Sequence, residues 1–262
     1  MSHFIYGSLL AMLCAFSASA QTVTLDYYFN HEVRKTAGGQ MERFHYLWED
    51  KTNPGFSIWG EVFKKNGAKL DTLGEAPTLK NLARSDIYII VDPDNKKESP
   101  NPNLITGGDV KQILAWVKKG GVLVLMANDS ANVNLTLFNT FSDQLGTRFN
   151  NDIQCHVVDD NHFEDGAIAP ENTVIFKSAK KIFLKDVCSI SYTGKQTRPV
   201  LKAKNGAVVA TMTKYGKGTV FSIGDPWLYN EYVNGRLPAG FDNDKAANDL
   251  TIWLLKQIPR KK

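Results

Sequence analysis

The sequence predicts an α/β protein built on a mostly parallel sheet, with helices on both faces and a β-rich extension in its second half. Three observations predict it. Residues 23–25, 87–91, 122–126 and 220–223 are short, mainly apolar runs, the length and character of buried strands. Each run turns polar at the same end, into Asp26, Asp92-Pro93-Asp94, Asn128-Asp129-Ser130 and Asp225-Pro226-Trp227. Amphipathic helical stretches separate the early runs, as crossover connections between parallel strands require.

The elements follow in order. After the first strand comes a polar loop. Pro54-Gly55 then precedes a helix with Phe56, Trp59, Val62 and Phe63 on one face, ended by Asn66-Gly67. Residues 68–73 form a second strand and 87–91 a third. Asp109 caps a helix carrying Val110, Ile113, Leu114 and Val117, whose i, i+3, i+4, i+7 spacing makes a buried stripe before Gly120-Gly121. After the strand at 122–126, Leu135, Phe138, Phe141 and Leu145 mark another helix, stopped at Gly146. Beyond residue 150 the pattern changes to short β-type runs at 174–176, 181–184, 187–191, 199–202 and 208–213. Residues 214–218 are a turn, so 207–223 reads as a hairpin. The last helix presents Ala246, Leu250, Trp253 and Leu254 inward.

Composition narrows the class. At 262 residues, with 43% hydrophobic and 22% charged residues, the chain has the apolar content of a globular protein, which argues against disorder. A net charge of +4 from scattered lysines, with no basic stripe, argues against nucleic acid as a partner. Residues 1–20 read as a signal peptide: 9–16 are an apolar core, and Ala18-Ser19-Ala20 fits a cleavage site before Gln21. The apolar stretch is too short for a stable membrane anchor. The expectation is a single α/β domain over 21–262, periplasmic or secreted. Cys155 and Cys188 remain, either bridged or as two buried thiols.

Several motifs occur together in one known setting: Tyr28-Phe29-Asn30-His31-Glu32 after Asp26, Phe56-Ser57-Ile58-Trp59-Gly60, the run from Asp86 to Asp94, the run from Trp116 through Gly120-Gly121 to Leu125, and the run from Gly224 to Tyr232. From Val23 to about Leu255 the chain resembles the domain appended to bacterial unsaturated rhamnogalacturonyl hydrolases of glycoside hydrolase families 88 and 105. The resemblance implies a type 1 glutamine amidotransferase-like domain with a flavodoxin-like sheet, here standing alone. It implies an association with breakdown of pectin-derived oligosaccharide. In those hydrolases the catalytic aspartate sits on a separate helical barrel, for which this chain has no counterpart. True amidotransferases place a nucleophilic cysteine in the turn matched here by Ala127-Asn128-Asp129-Ser130, which has none. Glutamine hydrolysis by that route is excluded.

The candidate site residues are polar groups just beyond the strand ends. Asp225, Asp92, His31 and Glu231 are the candidate acids and bases; Asp26, Asn30, Asn128, Asp129, Trp227 and Asn230 are the candidate ligand contacts. Parallel strands bring such ends to one edge, where open α/β sheets bind ligands, so these side chains are expected to line a common cleft. The competing role for each Asp and Asn is turn and cap chemistry, and for His31 a bond to a nearby carbonyl that shapes its loop. Trp227, Tyr229, Tyr232, Tyr27, Tyr28 and Trp48 supply aromatic faces on which sugar rings can lie. No metal-ligand spacing such as His-Glu-x-x-His occurs, and no cofactor motif is present, so neither is expected. Three functions follow. The first is a non-catalytic module binding oligosaccharide of pectic origin. The second is a hydrolase of glycosidic or ester bonds, which for a glycosidase needs two carboxyls about 5–9.5 Å apart facing one cavity. The third is an assembly partner for a separately encoded glycoside hydrolase.

Overall fold

The computed structural model describes residues 20–128, 130–170, 173–226, 228–230 and 232–259. Its strands are β1 (Thr22–Asp26), β2 (Val33–Lys35), β3 (Met41–Arg43), β4 (Lys69–Leu73), β5 (Ile87–Val91), β6 (Val122–Met126), β7 (Thr147–Phe149), β8 (Ala167–Ile168), β9 (Ile182–Phe183), β10 (Ile190–Tyr192), β11 (Thr197–Lys202), β12 (Val208–Tyr215) and β13 (Gly218–Ile223). The helices are α1 (Ser57–Lys65), α2 (Gly107–Lys118), α3 (Leu135–Ser142) and α4 (Asn243–Gln257). Seven strands form the central sheet in the order β11-β12-β13-β6-β5-β1-β4. β4, β1, β5, β6 and β13 run parallel, whereas β12 and β11 add antiparallel at one edge. The sheet is therefore mixed and mostly parallel.

Successive residues of a strand face opposite sides, and each side meets its own helices. Val23, Leu25, Ile89, Val124 and Phe221 pack in one core with Trp59 and Phe63 of α1 and Ala246, Leu250 and Leu254 of α4. Tyr88, Ile90, Leu123, Leu125 and Val220 pack in the other with Ile113 and Val117 of α2 and Phe138 and Phe141 of α3. Burial on both faces explains why β5 and β6 read as unbroken apolar runs.

Local details differ from the sequence reading. The N-cap of α2 is Thr106, not Asp109: Thr106 Oγ1 accepts from Asp109 N, and Thr106 N donates to Asp109 Oδ2, a reciprocal capping box. Residues 174–176 are no strand, because Thr173 Oγ1 accepts from Phe176 N and turns the chain. The loop after β1 contains the exposed hairpin β2–β3, whose strands of three residues are too short to display a period. Cys155 and Cys188 are free thiols. Gly224 ends β13 where a Cβ would lie 2.0 Å from the carbonyl oxygen of Cys188, so only glycine lets these two backbones meet.

Candidate functional site

From β1 the chain runs outward to β4 on one side, and β5 lies on the other. The strand order thus reverses between β1 and β5, and in open α/β sheets the crevice beyond such a reversal is the usual ligand position. Here it is filled by a polar knot. Asp26, last residue of β1, is 2% exposed. Its Oδ2 accepts from Phe29 N at 2.8 Å and Asn30 N at 3.2 Å, and its Oδ1 from the Tyr88 hydroxyl at 2.5 Å. Burial pushes its carboxyl up to about 6, against the pull of these donors. The same burial, with Asp26 beside it, raises the Tyr88 hydroxyl well above its ordinary value.

Asp92 follows β5 in a left-handed conformation at φ +32° and is 4% exposed. Its Oδ1 accepts from Asn128 N at 3.1 Å and its Oδ2 from the Tyr46 hydroxyl at 2.9 Å, while Asn30 Nδ2 donates to its carbonyl at 3.2 Å. Asn30 therefore ties the end of β1 to β5, and Asp92 ties β5 to β6. Asp94 Oδ2 accepts from His31 N at 3.1 Å, and burial pushes its carboxyl up to about 7. At the rim, Glu32 accepts from His45 Nδ1. Burial alone opposes charge on His45, but its bond to Glu32 outweighs this and raises its pKa. Glu98 is pushed to about 7, first by burial and then by the negative charges of Glu32, Asp92 and Asp94. His45 and Tyr46 are also left-handed, at φ 69° and 48°. Three such non-glycine residues in one knot are backbone strain that the surrounding bonds must hold.

The structure brings four expected residues into one bonded chain: Asp26, Asn30, Asp92 and Asn128. His31 stands exposed at the rim. Its Nδ1 donates to the Tyr27 carbonyl at 2.9 Å, the loop-shaping bond. Asp225 lies at the same edge but further along, since Val91, Met126 and Ile223 are register partners across β5, β6 and β13. It is 1% exposed, and its Oδ2 accepts from Lys185 N at 3.1 Å. Asn230 is fully buried, with Oδ1 accepting from Tyr232 N. Asp129, Trp227 and Glu231 lie outside the described residues.

One expectation needs correction. The buried members of the set do not line an open cleft: Asp26, Asp92 and Asp225 are turned inward because donors of their own and neighbouring loops claim their oxygens, and Asn30 because its Nδ2 donates to the Asp92 carbonyl. Trp48 is half-buried; its Nε1 donates to the Asp71 carbonyl and its ring packs among Phe56, Trp59 and Phe63. The site also holds residues the sequence reading left out. Asp94 and Glu98 were visible as acids in a turn, but their environment was not. Tyr46 and Tyr88, which bind the two buried aspartates, carry no signal of that role.

Open space at this edge lies beside the knot. A cavity of about 410 Å³ is lined by Asn95, Lys96 and Lys97 after β5, Ser130 after β6, Asn134 at the start of α3, and Asn151. Among the described residues no cluster of three or more His, Cys, Asp or Glu is placed to hold a metal ion. Nor is any helix among them long and apolar enough to cross a membrane.

The fold and this edge define the class: a mixed α/β protein with a buried polar knot at the strand-order reversal. No family model matches the sequence, and no curated protein matches it. Solved structures do. The mmIFT52 N-terminal domain superposes with a TM-score of 0.63 at 14% identity, over 88% of this chain and 96% of that one. The cytoplasmic protein STM1381 from Salmonella typhimurium LT2 gives 0.58 at 12% identity, over 91% and 100%. The β-galactosidase from Rahnella sp. R3 gives 0.55 at 14% identity, over 92% of this chain but 32% of the enzyme, so the chain spans about a third of its length. At such identities the likeness is one of fold.

Proposed function

We propose that this protein is an exported, non-catalytic module that binds oligosaccharide of pectic origin and assists its breakdown. The observation that carries the non-catalytic half is the inward turn of Asp26, Asp92 and Asp225, all at most 4% exposed and each held by internal donors. A glycosidase would need two such carboxyls facing a cavity. The carbohydrate half is supported by the resemblance to domains appended to rhamnogalacturonyl hydrolases, and by the β-galactosidase that contains a segment of the same shape. The central parallel strands, taken in chain order as 2-1-3-4-5, support a flavodoxin-like reading of the sheet. The apolar core and Ala18-Ser19-Ala20 of residues 1–20 support export.

The alternative is a hydrolase, and its candidate is Glu98: it is half-buried rather than enclosed, and burial with the charges of Glu32, Asp92 and Asp94 pushes it to about 7, the range in which a carboxyl can give and take protons at neutral pH. A single pair of measurements separates the readings. Thermal shift against rhamnogalacturonan oligosaccharides and uronic acids detects binding, since a ligand of the native state raises Tm. Reducing-end release from the same oligosaccharides detects turnover. The binding module predicts a shift without release, the hydrolase predicts release that Glu98→Gln abolishes, and a flat response to every glycan removes the carbohydrate reading.

A further inference from the structure

The groove beside the knot is unevenly equipped. The side-chain carbonyl oxygens of its three asparagines are already occupied: Asn95 Oδ1 by Lys97 N, Asn134 Oδ1 by Leu137 N, and Asn151 Oδ1 by Ser130 N. Asn95 Nδ2 is spent as well, on the carbonyls of Ala131 and Asn132, which clamps the two loops that form the groove walls. What remains without a partner among the described residues is rich in donors: the Nδ2 groups of Asn134 and Asn151, the ammonium groups of Lys96 and Lys97, and the hydroxyls of Ser130 and Thr136, which can donate or accept. The lysines are exposed and take part in no ion pair there. Of the carboxylates nearby among the described residues, Glu98 accepts from Asn95 N, and Asp152, which lines the adjoining cavity, has both oxygens held by Ser189 and Gln154. The first turn of α3 lies in the same wall, where Leu135 N and Leu137 N are already bonded to the Val133 carbonyl and to Asn134 Oδ1.

We infer that this groove binds the acidic sugar of an oligosaccharide, taking its carboxylate on Lys96 and Lys97 and its hydroxyl oxygens on Asn134, Asn151 and Ser130. The assignment rests on the carbohydrate-binding reading and narrows it to anionic glycans. A surplus of donors with few free acceptors matches a ligand rich in oxygen and negative in charge. Size agrees: the cavity of about 410 Å³ falls in the range of small-molecule sites, and a second of about 370 Å³ adjoins it through Lys97, Ser130 and Asn151. The groove therefore continues past the lysines, as a chain of sugars needs.

The test is calorimetric binding of a galacturonate oligosaccharide and of its fully methyl-esterified form, to the wild type and to a Lys96→Ala/Lys97→Ala variant. Both lysines are exposed, so the variant should melt with the wild type, which a thermal scan checks. The acid should bind roughly tenfold more tightly than the ester, and the variant should lose that difference, as expected for charge-assisted hydrogen bonds. Raising the salt should weaken only the acid. Equal affinity for acid and ester, or a variant that still prefers the acid, overturns the anionic groove while leaving carbohydrate binding in place. Binding of neither glycan to the wild type overturns both.

Discussion

Asp94 gives the most direct test of the knot. Its side chain is 2% exposed, Oδ2 accepts from His31 N, and Oδ1 has no partner among the described residues. Burial pushes the carboxyl from 3.8 to about 7. The native state therefore keeps a proton that the unfolded chain releases near pH 4. Between these values the native state binds more protons than the unfolded one, so stability falls as pH rises, and the loss is complete above about pH 7. A displacement of about 3 units is worth ~4 kcal/mol in full, and the two units between pH 5 and 7 are worth ~2.7 kcal/mol. Residual polarisability around the site brings this to about 1–3 kcal/mol. Glu98, pushed to about 7, and Asp26, to about 6, slope the same way. So does His45, whose raised pKa means that its stabilising charge is lost as pH rises. Asp94→Asn keeps an acceptor for His31 N and cannot ionise. Urea unfolding followed by circular dichroism from pH 5 to 8 should show the wild type losing stability and the variant losing about 1–3 kcal/mol less. A wild-type midpoint that is flat or rises over this range, or a variant with an unchanged slope, refutes the reasoning.

Three further outcomes follow from the same geometry. Tyr46→Phe deletes the donor to the buried Asp92 Oδ2 and should cost about 1–3 kcal/mol in urea unfolding, without altering oligosaccharide affinity in the groove. Gly224→Ala should yield little soluble protein, because its Cβ would sit 2.0 Å from the Cys188 carbonyl oxygen. Gly107→Ala, at an open position at the start of α2, should stay within roughly 1 kcal/mol of wild type. Cys155 and Cys188 should both titrate with a thiol reagent after denaturation, and reductant should leave Tm unchanged. In the native protein Cys155 should react slowly near neutral pH, since burial, with Asp225 near it, pushes its thiol up to about 11.

The strands were legible because their burial leaves nothing but apolar residues: β5 and β6 lie between two helical layers and could not alternate. The positions of Asp26, Asp92 and Asn128 at one edge were legible for the same reason. Their direction was not. A loop leaving a buried strand has unpaired backbone N–H groups, and a short carboxylate at the strand end reaches them before any ligand does, as Asp26 reaches Phe29 N and Asn30 N. An acid at a strand end is thus the same letter whether it serves the loop or a substrate. The knot's remaining members depend on residues 27–56 folding back over the sheet, which Tyr46 and His45 record in left-handed backbone that no spacing reveals.

What separates a site from a well-made turn is the polar capacity left over after the fold has taken its share. By that measure the strand ends are nearly spent, apart from the oxygens Asn30 Oδ1, Asp94 Oδ1 and Asn128 Oδ1, which lack partners among the described residues. The loops beside them are not. Lys96, Lys97 and Asn151 belong to no motif and would pass in sequence as a solvated surface, and Asn134 falls only in an Asn-x-Thr match. Yet they retain donors after the carbonyl oxygens around them are committed. The motif residues shape the edge, and the unremarked ones beside it keep the free hydrogen-bonding groups that a ligand could use.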